Sequence, residues 1–302
     1  MSGLPIKTRK PSWLKVKLPT GSKQERFARI RGRARELGLS TVCEEAQCPN
    51  IGECWGGGTA TFMVMGSICT RGCRFCAVNT SRNGNPLDPE EPRNVAVAIS
   101  EMELDYVVVT SVDRDDLPDG GAGHFAACIE EIHELNPSTM VEVLVPDFSG
   151  SSELLNKVVE AKPEVLAHNV ECVERLTRTV RDPRAGYTQS LEVLKAAKQL
   201  GADYTKSSIM VGLGESREEM ITCMQDLRSV GVDFLTVGQY LRPSEKHLAL
   251  QRYVTPEEFL EYEELGLNMG FTYVASGPLV RSSYKAGEFF IHRHIQNQRG
   301  PA

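Results

Sequence analysis

The sequence lacks any long apolar run, since no stretch approaches the roughly eighteen uninterrupted apolar residues that a membrane-spanning helix requires. The amino terminus also lacks an apolar run followed by a small-residue cleavage site, the pattern of a secretory leader. Low-complexity linkers and close internal repeats are absent as well. We therefore expect a cytoplasmic protein with no membrane partner, and neither a solenoid nor loosely joined domains are indicated.

Positive charge is scarce over most of the chain. The formal net charge of the 302 residues is -6, yet residues 1–36 contain eleven Lys and Arg against two Glu. Such a basic arm on an acidic body could steer an acidic protein or a nucleic acid by long-range attraction, or it could be a solvated terminus. The acidic balance of the remainder argues against nucleic acid as the partner.

From residue 60 onward, short β-rich runs alternate with helical patterns, which indicates repeated βα units and a parallel sheet. The predicted strands are 60–65, 106–110, 141–145, 165–170, 204–211 and 234–240. The predicted helices are 95–102, 125–135, 152–161, 190–200, 217–230 and 256–267. The expected fold class is α/β, a partial (β/α)6 TIM-like barrel over 59–270 with extensions at 1–58 and 271–302. Catalytic residues should gather where the strands end.

Cysteine is unevenly distributed, because six of the nine cysteines lie between residues 43 and 76. A long chain with no leader pattern meets a reducing compartment, so metal binding is favoured over disulfides. Cys69, Cys73 and Cys76 have a Cx3Cx2C spacing directly after the first predicted strand. Three thiolates leave one iron of a cubic 4Fe-4S cluster open. A structural zinc site needs a fourth nearby ligand, and the nearest downstream histidine is His124.

This spacing, with the aromatic Phe75 directly before the last cysteine, resembles the signature of the radical S-adenosylmethionine (SAM) superfamily. The resemblance implies that the open iron binds the methionine moiety of SAM. It also implies that an electron from the cluster cleaves the sulfonium to give a 5'-deoxyadenosyl radical. The protein would position the substrate and exclude water and competing hydrogen donors.

A second triad, Cys43, Cys48 and Cys54, has a Cx4Cx5C spacing and is predicted to bind another cluster. One iron of that cluster would again lack a cysteine, so a donor from elsewhere is required. The three remaining cysteines lie in or beside predicted apolar helices, where a free cysteine usually packs as a small hydrophobe. They are Cys128, Cys172 and Cys223.

Residues 275–286 read ASGPLVRSSYKA. Together with the two cysteine triads and the early segment KPSWL at 10–14, the RSSYxA run resembles the lipoyl synthase family, and the likeness extends over nearly the whole chain. The resemblance implies that a serine of the RSSY motif is the fourth ligand of the auxiliary cluster, by motif position Ser283, with Ser282 as the fallback. A serine alkoxide is a harder and more displaceable ligand than thiolate, which suits a cluster that is taken apart. A serine that caps a local turn is the alternative.

The resemblance further implies a sulfurtransferase that inserts two sulfur atoms at C6 and C8 of an octanoyl chain on a lysine of a lipoyl carrier protein or domain. Two 4Fe-4S clusters and two SAM would be used, and the auxiliary cluster would be sacrificed as sulfur donor. Catalytic roles then fall to Cys43, Cys48, Cys54 and Ser283. A reductant such as ferredoxin or flavodoxin and an iron-sulfur cluster carrier are the further partners implied.

Polar residues at predicted strand ends are the candidate cofactor contacts. Thr110 and Ser111 begin the loop that holds the SAM amino group in the superfamily, although a solvated turn would look similar. Four more polar residues follow the fourth strand or lie within the fifth, where they could bind the ribose and carboxylate of SAM or form ordinary salt bridges. These are Asn169, Glu171, Lys206 and Ser208.

Several neighbouring residues have two interpretations. His168 is either a hydrogen-bonded histidine at the core edge or a general base. Three arginines around Asp182 either line the site or pair with Asp113 and Asp115. They are Arg178, Arg181 and Arg184. The run Gly212-Leu213-Gly214 is too short for a dinucleotide fingerprint, so nicotinamide binding is rejected.

Two other functions compete with this interpretation. Another radical SAM enzyme with an auxiliary cluster, such as a methylthiotransferase or a peptide-maturation enzyme, would share the triads but lack the RSSY ending. A zinc-binding scaffold or nucleic-acid protein is favoured by the basic arm. The overall acidic charge and the missing fourth zinc ligands argue against it.

Overall fold

The computed structural model describes residues 10–15, 21–36, 39–41, 44, 48, 50–56 and 59–283. Within these ranges the main sheet has eight strands. In order across the sheet they are β1 Ser40–Thr41, β2 Ala60–Val64, β5 Tyr106–Ser111, β6 Met140–Leu144, β7 Val165–Ala167, β8 Tyr204–Val211, β9 Phe234–Gln239 and β10 Tyr273–Gly277. A separate parallel pair is formed by β3 Ile68–Cys69 and β4 Asn79–Thr80.

The described helices form the connections between the parallel strands, except for the first two, which precede β2. They are α1 Ser22–Glu36, α2 Ile51–Gly56, α3 Glu91–Glu101, α4 Ala122–Leu135, α5 Ser152–Glu160, α6 Thr177–Val180, α7 Tyr187–Gln199, α8 Arg217–Ser229 and α9 Pro256–Asn268. The last two begin with capping boxes, in which the Ser216 and Thr255 side chains accept hydrogen bonds from the N3 backbone and the N3 glutamates reach back. Among the described residues, the helices are all too short or too polar to cross a membrane.

The predicted α/β fold is confirmed: the six predicted strands and six predicted helices are present, with ends shifted by a few residues. The sheet also has two strands that were not predicted. Strand β1 pairs antiparallel with β2, and β10 pairs in parallel with β9. The predicted boundary between the barrel and the C-terminal extension, at residue 270, falls between α9 and β10, although β10 continues the sheet of the barrel. The division into three segments stays a prediction.

The strands alternate between two environments. Val107 and Val109 belong to the large cluster that includes helix residues, whereas Tyr106 and Val108 belong to a separate cluster of strand residues. Side chains along a strand point alternately to its two faces, so the second set lies on the inner face of the partial barrel. That inner cluster consists of Tyr106, Val108, Met140, Val165 and Phe234, with Tyr204 and Tyr273 packed against it.

Part of the basic arm is the helix α1, which packs on α2. Its arginines form ion pairs with acidic side chains of the same chain: Arg29 with Glu103, Arg33 with Glu101, and Arg31 and Arg35 with Glu44. The positive charge of this helix is therefore partly matched within the molecule, and the helix is not a free solvated terminus.

Candidate iron-sulfur and cofactor site

The first cysteine triad begins at Cys69, the last residue of the short strand β3, and Cys73 and Cys76 lie in the loop between β3 and β4. Backbone N–H groups point at two of its sulfurs: Arg71 donates to Cys69 Sγ at 3.4 Å, and Asp182 donates to Cys73 Sγ at 3.3 Å. N–H donors of this kind are found around iron-sulfur clusters, where they tune the thiolate ligands. The carboxylate of Asp113 lies 3.8 Å from Cys69 Sγ.

The three thiols need a cation in order to ionise. Burial raises the pKa of Cys69 to about 11 and that of Cys73 to about 12, and it also raises the pKa of Cys76. Bound iron supplies the positive charge that deprotonates such ligands. In a 4Fe-4S cluster each thiolate ligates a separate iron, so three neighbouring thiols with backbone N–H donors at two of their sulfurs fit such a cluster.

The loop is anchored by Arg71, which lies between the first two cysteines. Its guanidinium binds both carboxylate oxygens of Asp115, at 2.9 and 2.7 Å, and both of Asp147, at 2.7 and 2.8 Å. Asp113 lies 3.4 Å away. These three aspartates follow the ends of β5 and β6, so a side chain of the cysteine loop is held by the carboxyl end of the sheet.

A second arginine anchors the same loop from outside. Arg184 donates to the Thr70 carbonyl at 2.7 Å and to Asp115 at 3.0 Å, and it also pairs with Asp182. The carboxylate of Asp182 accepts the backbone N–H of Gly72 at 2.8 Å, and Arg184 holds the pKa of Asp182 well below its usual range. Of the two interpretations of Arg184, pairing with Asp115 is thus confirmed.

The second triad is described only in part, because Cys43 lies outside the described residues. Cys54 is buried in α2, and Cys48 precedes that helix. Between them, the buried Asn50 donates from Nδ2 to the carbonyl of Leu279 at 2.6 Å. Burial lowers the pKa of Arg281, and the charge of Cys48 acts in the opposite direction. The segment with the second triad therefore meets the segment that carries the RSSY motif.

Ser283 lies at the inner face of the barrel. Its Oγ accepts a hydrogen bond from Thr61 Oγ1 at 3.1 Å. Thr61 is on β2 and is paired in register with Val108, whose side chain belongs to the inner cluster. Asn50 and Ser283 thus each contact a distant segment, Asn50 the Leu279 carbonyl and Ser283 the strand β2, although more than 200 positions separate the partners in both cases.

The predicted SAM contacts are distributed over the strand ends. Thr110 donates to the Leu144 carbonyl at 2.9 Å, so its hydroxyl already joins β5 to β6. The Ser111 hydroxyl and the Asn169 amide oxygen are buried and have no hydrogen-bond partner among the described residues. Asn169 donates from its amide nitrogen to Glu171 at 3.1 Å, and burial raises the pKa of Glu171. The two unpartnered oxygens leave hydrogen-bonding capacity for a bound molecule.

Lys206 is engaged within the protein. Its Nζ lies 2.8 and 2.9 Å from the two carboxylate oxygens of Glu142, which also accepts the Tyr106 hydroxyl at 2.6 Å. Both charged side chains are buried. Ser208 is buried two residues further along β8, and Phe75 packs against the neighbouring core cluster. The contacts of Lys206, Ser208 and Phe75 with the cofactor stay predictions.

His168 is a buried structural histidine. Its Nδ1 lies 2.9 Å from the Val145 carbonyl and its Nε2 lies 2.9 Å from the Ser190 hydroxyl, so both ring nitrogens have partners within the fold. Burial lowers the pKa of His168 to about 4. Of its two interpretations, the geometry favours the hydrogen-bonded core histidine over a general base.

Sequence reasoning missed several residues of this region: Glu142, Asp147 and Thr61. A buried charge within an apolar strand is a signal that could have singled out Glu142.

Gly212, in the run that is too short for a dinucleotide fingerprint, has a steric role. Its φ is +95°, and a Cβ there would lie 2.2 Å from the Gln239 side chain and 2.6 Å from the Arg252 carbonyl. Only glycine fits this close approach.

A cavity of about 420 Å³ lies beside the anchored loop. It is lined by Arg71 of the cysteine loop and by residues that follow β5 and β6, among them Asp115 and Phe148. Phe148 and Ser149 both have positive φ, at 45° and 53°, and Asp147 accepts the backbone N–H of Ser149. The same aspartate therefore fixes this turn and holds Arg71.

Comparisons with known proteins identify two families. Residues 63–227 match the radical SAM superfamily, and residues 4–48 match the N-terminal domain of lipoyl synthase of that family. Lipoyl synthase of Myxococcus xanthus is 57% identical over 97% of this chain and 97% of its own length. Lipoyl synthase of Anaeromyxobacter is 56% identical over 96% and 98%. Mitochondrial lipoyl synthase of Picea sitchensis is 55% identical over 97% and 77%.

Solved structures with low sequence identity share the fold. Methylornithine synthase aligns with a TM-score of 0.55 at 14% identity over 90% of this chain and 94% of its own. The hydrogenase maturase HydG aligns with a TM-score of 0.56 at 17% identity over 83% and 55%. These similarities support the partial barrel alone.

Proposed function

The chain belongs to the lipoyl synthase family of the radical SAM superfamily, and on that premise we propose that it inserts two sulfur atoms into an octanoyl chain. The acceptor carbons are C6 and C8, and the octanoyl group is carried on a lysine of a lipoyl carrier protein or domain. These carbons bear unactivated C–H bonds that no side-chain base can deprotonate, so each requires removal of a hydrogen atom and one SAM.

Superfamily membership implies one 4Fe-4S cluster and SAM, and we propose a second cluster. Cys69, Cys73 and Cys76 would hold the first. Cys43, Cys48, Cys54 and Ser283 would hold the second. When bound, the first supplies the electron that cleaves SAM and the second supplies the inserted sulfur.

The contact of Asn50, which lies between Cys48 and Cys54 in sequence, with Leu279, which shortly precedes the RSSY motif, is the observation that carries the two-cluster proposal. The hydrogen bond from Asn50 to Leu279 joins the two segments directly, and the bond from Thr61 to Ser283 brings the serine to the inner face of the barrel. A ligand set drawn from both termini requires such an approach. The first triad follows the same strand that carries Thr61, so β2 is next in sequence to one ligand set and in contact with a residue of the other.

The remaining residues of the site would bind and orient SAM. Among the predicted cofactor contacts, the Ser111 hydroxyl and the Asn169 amide oxygen are buried without a hydrogen-bond partner among the described residues, and we assign them to polar groups of the cofactor. Thr110, Glu171, Lys206, Ser208 and Phe75 complete the predicted set. The apolar inner cluster beneath them excludes water from the base of the barrel.

The partners follow from the balance of the reaction. Each SAM cleavage consumes an electron, so a ferredoxin or flavodoxin is the proposed reductant, and loss of the auxiliary cluster requires a cluster carrier for its repair. The curated relatives include bacterial, mitochondrial and chloroplastic proteins. We propose a cytoplasmic location for this chain.

Mass spectrometry of an octanoyl-lysyl peptide tests the function. Incubated with SAM and a reductant under anaerobic conditions, the protein should add two sulfur atoms, and it should carry about eight irons per chain. Cys43→Ala should abolish sulfur insertion but retain some SAM cleavage, whereas Cys69→Ala should abolish both. Cys128→Ala removes a buried cysteine outside the triads and serves as the matched control.

Two results would contradict the proposal. Product formation by the Cys43→Ala protein would exclude that triad as part of the sulfur source. Methylthiolation of the peptide, or a colourless protein rich in zinc, would redirect the assignment to one of the competing functions.

A further inference from the structure

Arg71 occupies an unusual position for a charged residue. It is part of the loop that carries Cys69 and Cys73, yet only 3% of its side chain is exposed. Its side chain turns toward the sheet, where it meets carboxylates from two loops. Burial of an arginine is costly unless its charge and its N–H donors are matched, and here two carboxylates bind it through both oxygens.

The geometry of these contacts is specific to arginine. The planar guanidinium presents its donors in a rigid fork, so it can bind Asp115 and Asp147 at once with two bonds each. A lysine ammonium has three donors at one point and cannot reproduce both pairs. Because Asp115 and Asp147 follow different strands, the arginine ties the cysteine loop to the ends of both β5 and β6.

The backbone around Arg71 is held at several further points. Thr70 N–H donates to the Asp113 carbonyl at 2.9 Å, Gly72 N–H donates to Asp182, and Arg74 N–H donates to the Val180 carbonyl at 2.9 Å. With the arginine in place, the loop between the first two cysteines is bound on both sides. These contacts with residues that follow the strands hold the backbone that carries the two sulfurs, and none of them requires iron.

Charge is a second reason for the arginine. Asp113, Asp115 and Asp147 surround Arg71, and Asp113 also lies 3.8 Å from Cys69 Sγ. Like charges held this close repel one another, and the guanidinium between them offsets that repulsion. Arg71 therefore matches part of the negative charge that these loops bring to the cysteine loop.

We propose that Arg71 is the positioning residue of the first cluster: it orients the loop that carries Cys69 and Cys73 and neutralises the carboxylates beneath it. The inference rests on the assignment of Cys69, Cys73 and Cys76 as cluster ligands. It concerns assembly and retention of the cluster, and it does not depend on the identity of the sulfur acceptor.

Iron binding by variants of the full chain tests this role. In a parent protein with Cys43→Ala and Cys48→Ala, only the first triad is intact, so the bound iron reports on that site. We would measure cluster assembly from ferrous iron and sulfide, iron loss to a chelator, and the EPR spectrum of the reduced cluster with and without SAM. Circular dichroism and urea unfolding of the iron-free proteins give a separate measure of the fold.

Arg71→Lys should retain the fold but lose iron to the chelator about 10- to 100-fold faster than the parent, the usual effect of removing a residue that orients a metal ligand. Its EPR spectrum should also change. Arg114→Lys is the matched control. Arg114 is equally buried and binds Asp116 through two bonds at 2.8 and 2.9 Å, but its other contact is the Met65 carbonyl. The control should retain iron within about twofold of the parent, because it lacks a role at the ligand loop.

Iron retention and an EPR spectrum like those of the parent in Arg71→Lys would overturn the proposal. Equal iron loss in Arg114→Lys would overturn it too, since any buried arginine would then matter. If Arg71→Lys does not fold, Arg184→Ala decides: this half-exposed side chain binds the Thr70 carbonyl, and its loss should accelerate iron release in the same direction. An unchanged rate there contradicts the anchoring of the loop. A parent that binds no iron would refute the cluster assignment itself.

Discussion

Replacing Lys206 by methionine separates a structural role of this residue from a role in cofactor binding. Lys206 and Glu142 form an ion pair whose side chains are 2% and 1% exposed. Methionine keeps most of the apolar stem of lysine but removes its ammonium. The Glu142 carboxylate then remains buried on the inner face of the barrel. It still accepts the hydrogen bond from the Tyr106 hydroxyl, but the positive charge of Lys206 is gone.

The structure indicates a large loss of stability. Removing one partner of a buried ion pair typically costs about 3–5 kcal/mol, because the other charge is left desolvated without compensation. We expect that loss for Lys206→Met. Adding Glu142→Leu removes the second charge, and the double variant should recover to within about 1–3 kcal/mol of the parent, the cost of depriving the Tyr106 hydroxyl of this acceptor. A coupling free energy of several kcal/mol should therefore appear in the double-mutant cycle.

Urea unfolding of the four matched proteins measures the cycle, and SAM affinity of the double variant measures the second role. If the double variant folds and binds SAM with the affinity of the parent, the role of Lys206 is structural and it does not contribute to SAM binding. Weaker SAM binding would support the predicted cofactor contact. A loss under about 1 kcal/mol in Lys206→Met, or a double variant no more stable than the single one, would refute the argument from the buried charge.

Two further predictions concern stability. Gly212→Ala should lower the free energy of unfolding by about 3–5 kcal/mol, because the added Cβ would meet Gln239 and Arg252. Gly201 has a similar φ of +99° but faces open space, so Gly201→Ala should lower it by only about 1–2 kcal/mol. Urea unfolding measures both values, and equal losses would contradict the steric explanation. Burial lowers the pKa of His168 from 6.5 to about 4, so the unfolded chain binds its proton first as the pH falls. The iron-free protein should therefore lose up to about 3 kcal/mol between pH 6.5 and 4, and His168→Gln should reduce this slope.

The elements that sequence analysis predicted well are those with strong local signals. Strand β5 contains the run Val107–Val108–Val109, and α8 and α9 begin with capping residues and acidic first turns, so their propensity and their final environment agree. Strand β10 was missed for the opposite reason. Its residues Ala275, Ser276 and Gly277 have low β propensity, and it is a strand because it pairs with β9.

The cysteine spacings allowed the thiol ligands to be predicted, because a ligand set within a short loop is a local property. The supporting contacts are long-range. Arg71 and Asp147 are 76 positions apart, and Lys206 and Glu142 are 64 apart. No periodicity or spacing relates such residues, and each could equally have been a surface charge. For Lys206 the sequence accordingly left open a cofactor contact or a salt bridge, and it could not indicate that the paired carboxylate is Glu142 on β6.

The cysteine motif alone does not determine the geometry of the site, because the residues that anchor the loop are separate from the thiol ligands. A Cx3Cx2C loop specifies three thiols but not their direction, since a loop of this length can leave a strand in many ways. Here Arg71 is bound by carboxylates after β5 and β6, and Asp182 binds both the backbone of Gly72 and, through Arg184, the carbonyl of Thr70. The direction of the loop is therefore set by residues after three other strands. A chain with the same cysteines but without these carboxylates would have the ligands and lack the geometry, which is why the anchoring residues deserve the same experimental scrutiny as the thiols.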